Sequence, residues 1–133
     1  MKITICGSMA FAKDMLQIKK ELEGNNHFVI VPANTDKYAR GTMKVENKWE
    51  KMELDVIRAY YNEIKKTDSI LVVNKDKNNI KNYIGGNSLI EMAFAHVLEK
   101  KIFLLNPIPK ISYSDEIETM NPIIISGDLR KIN

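Results

Sequence analysis

Apolar positions along the chain alternate between short continuous runs and helical stripes. Ile3 to Cys6 is an apolar run stopped by Gly7-Ser8, which predicts a first strand. From Ala10 to Glu23 the apolar residues Phe11, Met15, Ile18 and Leu22 recur at helical spacing. Gly24-Asn25-Asn26 predicts the end of that helix. Phe28 to Val31, closed by Pro32, predicts a second strand and completes a βαβ unit. Ala33 to Lys48 is polar and irregular, with room for a short helical turn. It reads equally as a functional lid or as a solvated insertion.

The alternation continues in the second half. Trp49 to Lys66 carries Met52, Val56, Ala59, Tyr60 and Ile64 in helical register, with Trp49 anchoring its start. Ser69 to Val73 is apolar throughout, as expected of a central parallel strand buried on both faces. A polar loop over Asn74 to Asn82 and the sequence Gly85-Gly86-Asn87-Ser88 lead to a helix expected from Leu89 to Lys100. In that helix Ile90, Ala93, Phe94, Val97 and Leu98 form one apolar arc, the expected buried face. Lys101 to Leu105 predicts another strand, Tyr113 to Met120 a short helix, and Ile123 to Ile125 a last strand. Such alternation predicts a single Rossmann-like (flavodoxin-like) α/β domain over residues 1–133. Its core would be a parallel sheet of about five strands with helices on both faces. Ligands of such sheets sit at strand carboxyl ends, near the topological switch point.

Composition narrows the class without naming a function. The chain has 133 residues, 44% hydrophobic and 28% charged, with a formal net charge of +3. A surplus that small and that dispersed argues against a nucleic acid polymer or a membrane as partner. The one cysteine, Cys6, excludes a disulfide-built module. The apolar start is too short for a signal peptide and no run approaches a bilayer span, so a cytoplasmic location is expected. His27, His96 and Cys6 do not have metal-ligand spacing, and no metal is expected.

Candidate chemistry falls at strand carboxyl ends. Gly7-Ser8-Met9 offers backbone amides and a hydroxyl to an anion, or Ser8 simply caps the next helix. Gly-Ser alone is not a dinucleotide fingerprint. Glu91 follows two glycines at the edge of the apolar arc. A carboxylate there, kept ionised by the helix dipole, is what a nucleophile at a sugar carbon requires. Ser88-Leu89-Ile90-Glu91 also matches a capping box, in which Glu91 folds back on the helix start.

Taken in order, several segments resemble the nucleoside 2-deoxyribosyltransferase-like superfamily, which includes 2'-deoxynucleoside 5'-monophosphate N-glycosidases. They are Ile3-Thr-Ile-Cys-Gly-Ser8, Thr67-Asp68-Ser69-Ile-Leu-Val-Val73, Gly85-Gly86 with Glu91-Met-Ala-Phe-Ala95, and Lys100-Lys101-Ile-Phe-Leu-Leu105. The Gly-Gly-x-x-x-x-Glu element is also similar to nucleotide phosphoribohydrolases. The resemblance implies cleavage or transfer at an N-glycosidic bond, with Glu91 as the nucleophile. It implies no cofactor, and a homodimer or higher homo-oligomer. Asp68 and Tyr60 join Glu91 as candidate catalytic positions, Tyr60 standing where characterised members carry an aspartate. Gly7, Ser8, Met9, Gly85, Gly86, Asn87 and Ser88 are the implied substrate-binding positions. Gly85 replaces a second family aspartate, so Asp55, Glu63 and Asp76 become alternative proton donors. A nucleotide-binding or sensing module without catalysis is the competing expectation.

Overall fold

Within each strand, successive side chains point to opposite faces, and here both faces are apolar. The computed structural model describes residues 1–43, 52 and 55–133. Five strands, β1 (Lys2–Cys6), β2 (Phe28–Ile30), β3 (Ser69–Val72), β4 (Lys101–Leu104) and β5 (Ile123–Ile124), form one sheet in the order β2-β1-β3-β4-β5. Every neighbouring pair is parallel, with Ile3 beside Ser69 and Ser69 beside Lys101 setting the central register. This is the α/β architecture expected from the sequence.

Period-two alternation divides the core into two layers. Ile3, Ile5, Leu71, Val73 and Phe103 face one side, where Met15, Ile18 and Leu22 of α1 (Ala12–Gly24) cover them. Cys6, Ile70, Val72, Ile102 and Leu104 face the other. There they meet Tyr60 and Ile64 of α3 (Val56–Lys65), Met92 and Ala95 of α4 (Gly86–Val97), and Ile117 of α5 (Ser114–Thr119). A short helix α2 (Thr35–Ala39) packs on α1. Each fully buried Leu or Ile contributes roughly 1.5–3 kcal/mol, so the strands are held chiefly by these two layers.

Several boundaries differ from the expected ones. The first helix opens with a tighter turn over Met9–Phe11. After α1 the left-handed residue is Asn26 (φ +67°), and Gly24 is the helix's last residue. Of the helix expected from Trp49, the structure describes a helical Met52 and the helix Val56–Lys65, with Asp55 before it in the left-handed region (φ +46°). Trp49 itself, most of the segment before α3 and the end of the loop expected to reach Lys48 lie outside the described residues. α4 begins at Gly86, three residues before Leu89. Its buried stripe is Ser88, Met92 and Ala95, whereas Ile90 and Val97 of the expected apolar arc are exposed.

β1 and β3 close tightly where the chain leaves the sheet. The Val73 amide donates to the Cys6 carbonyl at 2.8 Å. A Cβ on Gly7 would lie 3.1 Å from the Val73 carbonyl oxygen and 3.4 Å from Met15 Sδ. Gly24, by contrast, has open space around it. Gly7→Ala is therefore expected to destabilise the protein by about 1–3 kcal/mol. Gly24→Ala should stabilise it by about 0.5–1 kcal/mol through helix propensity. Urea unfolding of the two variants checks the contrast, and equal effects would contradict it.

Candidate functional site

The strand order reverses at β1: the chain passes to β2 on one side and returns to β3 on the other. Helices diverging from such a reversal leave a crevice at the strand carboxyl ends. A cleft of about 580 Å³ lies there. Its walls are the Gly7–Met9 turn, the end of β2 and the residues after it (30–34), one face of α3, Lys77 and Tyr83 from the loop after β3, and the start of α4. All seven of the implied substrate-binding positions, Gly7, Ser8, Met9, Gly85, Gly86, Asn87 and Ser88, line it, together with Glu91 and Tyr60.

Helical spacing brings the side chains in. Val56, Ala59, Tyr60 and Glu63 of α3 lie at i, i+3, i+4 and i+7 and form the wall on that side. On α4, Ser88, Glu91, Met92 and Ala95 follow the same spacing, so Glu91 lies on the buried stripe. Because α4 starts at Gly86, Glu91 sits in its second turn, where the dipole has faded. Ser88 is inside the helix, Gly85 precedes it, and no side chain caps the start. The capping box is therefore absent, and with it the structural role that competed for Glu91.

Burial, not the dipole, sets the charge state of Glu91. The side chain is partly open to the cleft, but removal from water pushes its carboxyl up to about 8. It has no hydrogen-bond partner among the described residues. The expectation of a carboxylate held ionised is thus corrected: near neutral pH Glu91 is mostly protonated.

Tyr60 stands in the cleft wall with its hydroxyl committed. It donates to the Ile5 carbonyl and ties α3 to β1. Burial holds this phenol well above its usual range, with Cys6, Glu91 and Glu63 adding to the shift. The buried Cys6 thiol is raised too, by burial and then by Glu91. Neither group offers a proton readily.

Asp68 is not in the cleft. It lies at the amino end of β3, where its Oδ2 accepts from the Lys2 amide at 2.8 Å and its own amide donates to the Lys2 carbonyl at 2.8 Å. This carboxylate docks the first residue of β1 onto β3, at the opposite end of the strands from Glu91. The sequence pattern placed Asp68 before the central strand, and a residue there faces the wrong end of a parallel sheet for catalysis. Of the other acids, Asp55 is held by Arg58, and Asp76 accepts from the Asn82 amide at 3.0 Å. Only Glu63 of these three lines the cleft, with Lys66 at 3.5 Å.

Lys77 was not singled out by sequence reasoning. Its Nζ donates to Ser8 Oγ at 2.7 Å and lies 5.3 Å from the centre of the Tyr83 ring. Lys77 and Ile80 exchange backbone hydrogen bonds of 3.0 and 2.9 Å across Asn78 and Asn79, whose φ values are +53° and +60°. Asn-Asn fits this two-residue turn because asparagine tolerates the left-handed region. That dipeptide was the signal that the loop is built rather than loose. Ser8 keeps part of its capping role as well, accepting from the Ala10 amide at 3.2 Å.

Among the described residues no three His, Cys, Asp or Glu side chains gather to hold a metal ion. No helix among them is long and apolar enough to cross a membrane. Compared with known proteins, the chain matches no family model and no curated protein.

The raised Glu91 carboxyl links stability to pH. In the unfolded chain it titrates near 4.5, in the folded protein near 8. Between those values the folded state holds a proton that the unfolded state has released, so stability falls as pH rises across the window and levels off above it. The part of the side chain open to the cleft limits the loss to on the order of 2 kcal/mol. Urea unfolding of wild type beside Glu91→Gln should show wild type losing ground to the variant as pH rises. Parallel curves would contradict a buried, unpartnered Glu91.

Proposed function

We propose that this protein cleaves or transfers at the N-glycosidic bond of a nucleoside or nucleoside 5'-monophosphate, with Glu91 as the nucleophile. The observation that carries the reading is an unpartnered, desolvated carboxyl facing a cleft at the topological switch point. The likeness to the nucleoside 2-deoxyribosyltransferase-like superfamily supports it through the same position. Ionised Glu91 attacks the anomeric carbon. A C–O bond forms, the C–N bond breaks, and the base leaves with the bonding electron pair and a proton. Water or an acceptor base then attacks the same carbon and frees the carboxylate. Glu63 is the second carboxyl in the cleft wall and the group available there to exchange a proton with the base. Without an ion pair to satisfy, the Glu91 charge is free for the cationic character that develops on the sugar.

A second reading is a nucleotide-binding or sensing module. Two observations favour it: burial holds Glu91 neutral near pH 7, and the Tyr60 hydroxyl is occupied where members of the superfamily that the sequence resembles carry an acid. We further propose a homo-oligomer, because the contacting helices α3 and α4 leave Ile57, Ile90 and Val97 exposed. We also propose a cytoplasmic location.

Base release from a panel of nucleosides and their 5'-monophosphates, followed by chromatography, tests the leading reading. Glu91→Gln should lower release by about a thousandfold or more, with a thermal midpoint no lower than that of wild type. Because the nucleophile must lose its proton, kcat/KM should rise with pH and level off above about 8. A fall above that pH would instead make Glu91 a proton donor. Ligand binding without release in wild type would support the sensing module.

A further inference from the structure

Breaking an N-glycosidic bond leaves the bonding electron pair on the base. A neutral base takes that pair readily only when a proton arrives with it. The cleft has few sources for the proton. Among the described residues no histidine lines it. The Tyr60 hydroxyl donates to the Ile5 carbonyl, and burial holds that phenol well above its usual range. Asp68 sits at the other end of the strands, and neither Asp55 nor Asp76 is part of the lining. Lys77 is engaged with Ser8 Oγ at 2.7 Å and lies over the Tyr83 ring. Glu63 remains, and its carboxylate is ion-paired with Lys66 at 3.5 Å. The walls divide in the same sense. Hydroxyls, helix-start amides and Lys77 gather around Ser8 and Gly86, which suits a sugar. Val31 to Ala33 after β2, with Val56 and Ala59 of α3, form the apolar wall that a flat ring requires. The two acidic side chains of the lining, Glu63 and Glu91, come from the contacting helices α3 and α4.

We propose that the substrate is an N-glycoside whose base already carries a positive charge, a pyridinium of the nicotinamide riboside class, in preference to a neutral purine or pyrimidine. The proposal rests on the glycosidic reading of the cleft and names the base for it. Glu91 attacks the anomeric carbon, the C–N bond breaks, and its electron pair cancels the charge on the ring nitrogen. The base leaves neutral, and no proton donor takes part. Water then attacks the same carbon, the carboxylate is freed, and one proton passes to solvent. A pyridinium nitrogen has neither an N–H nor a lone pair, so an apolar wall leaves it with no hydrogen bond unmade. Its charge also acts on Glu91. Burial favours the neutral form of that carboxyl, and a cation beside it favours the ionised form that attacks. The carboxylate of Glu63 attracts the same cation before the reaction.

The test is base release by the full-length chain, read by chromatography and corrected for spontaneous release without protein. Nicotinamide riboside and its 2'-deoxy form are compared with adenosine, guanosine, cytidine and their 2'-deoxy forms, each also as the 5'-monophosphate. A general acid is worth about 10²–10⁴ in rate. A site without one should therefore release nicotinamide at least about a hundredfold faster than any neutral base carried on the same sugar. Glu91→Gln should remove the release. Glu63→Gln should raise KM for nicotinamide riboside about 3- to 10-fold, with the smaller effect on kcat. Neutral bases released within about tenfold of nicotinamide reveal a working proton donor and overturn the proposal. So does a Glu63→Gln loss that falls on kcat. Either result leaves the glycosidic reading standing. Release of no base from any member of the panel overturns both. The comparison of bases uses wild type alone, so it decides the matter even where a substituted chain folds poorly.

Discussion

The close approach of β1 to β3 is the constraint on which the site depends. A parallel sheet cannot reverse its strand order without parting the chain, and the parting occurs beyond Cys6 and Val73. Gly7 permits it: with a Cβ only 3.1 Å from the Val73 carbonyl, any other residue would push the strand ends apart. Because they stay together, the Gly7–Met9 turn and the loop after β3 leave the sheet side by side. Ser8 and Lys77 can then meet although 69 positions separate them. The Ile5 carbonyl, on the side where β1 runs past the end of β2, accepts from Tyr60, which ties α3 to β1 at the cleft wall.

Most of the fold was legible because its signals are periodic. Runs such as Ser69 to Val73 are apolar on both faces, and only a sheet covered on both sides buries them. The cleft-lining positions Gly7–Met9 and Gly85–Ser88 were legible too, since Gly-rich turns at strand ends follow from the βαβ rhythm. What failed was reasoning from apolarity about orientation. In α4 the expected apolar arc is split: Ile90 and Val97 face outward and Phe94 and Leu98 pack at the edge of the core, while the inward stripe runs through Ser88, Glu91, Met92 and Ala95. Polar residues occupy half of that stripe because its upper part lines a cleft and only its lower part packs on the sheet. A hydrophobicity count cannot see that division.

Asp68 and Lys77 show the complementary limit. Asp68 stood out by its place before a conspicuous strand, yet in a parallel sheet the amino end is remote from the crevice, and its carboxylate serves a strand-start hydrogen bond. Lys77 lay in a polar loop rich in Lys and Asn, and nothing in composition separates it from Lys75 or Lys81. Only the conformation of Asn78 and Asn79 distinguishes it, by returning the chain so that one lysine of the loop reaches Ser8. Lys75 instead forms a surface ion pair with Asp14 at 3.0 Å.

Lys77 and Glu91 together make the cleft electrically asymmetric. Cation, hydroxyls and helix amides cluster around Ser8, Gly86 and Ser88, while Glu91 sits deeper along α4 and, when the cleft is empty, carries its proton. Such an arrangement is stable at rest because neither end presents an uncompensated buried charge: Lys77 reaches solvent, and Glu91 is neutral. Under the glycosidic reading proposed above, a sugar that develops positive charge beside Glu91 lowers the cost of ionising it, since opposite charges at contact favour the charged form. Carboxylate charge would then appear where that reaction needs it, without an ion pair that would hold it ready and also weaken it. On that reading, desolvation of Glu91 is the property that couples its proton to the charge developing on the sugar.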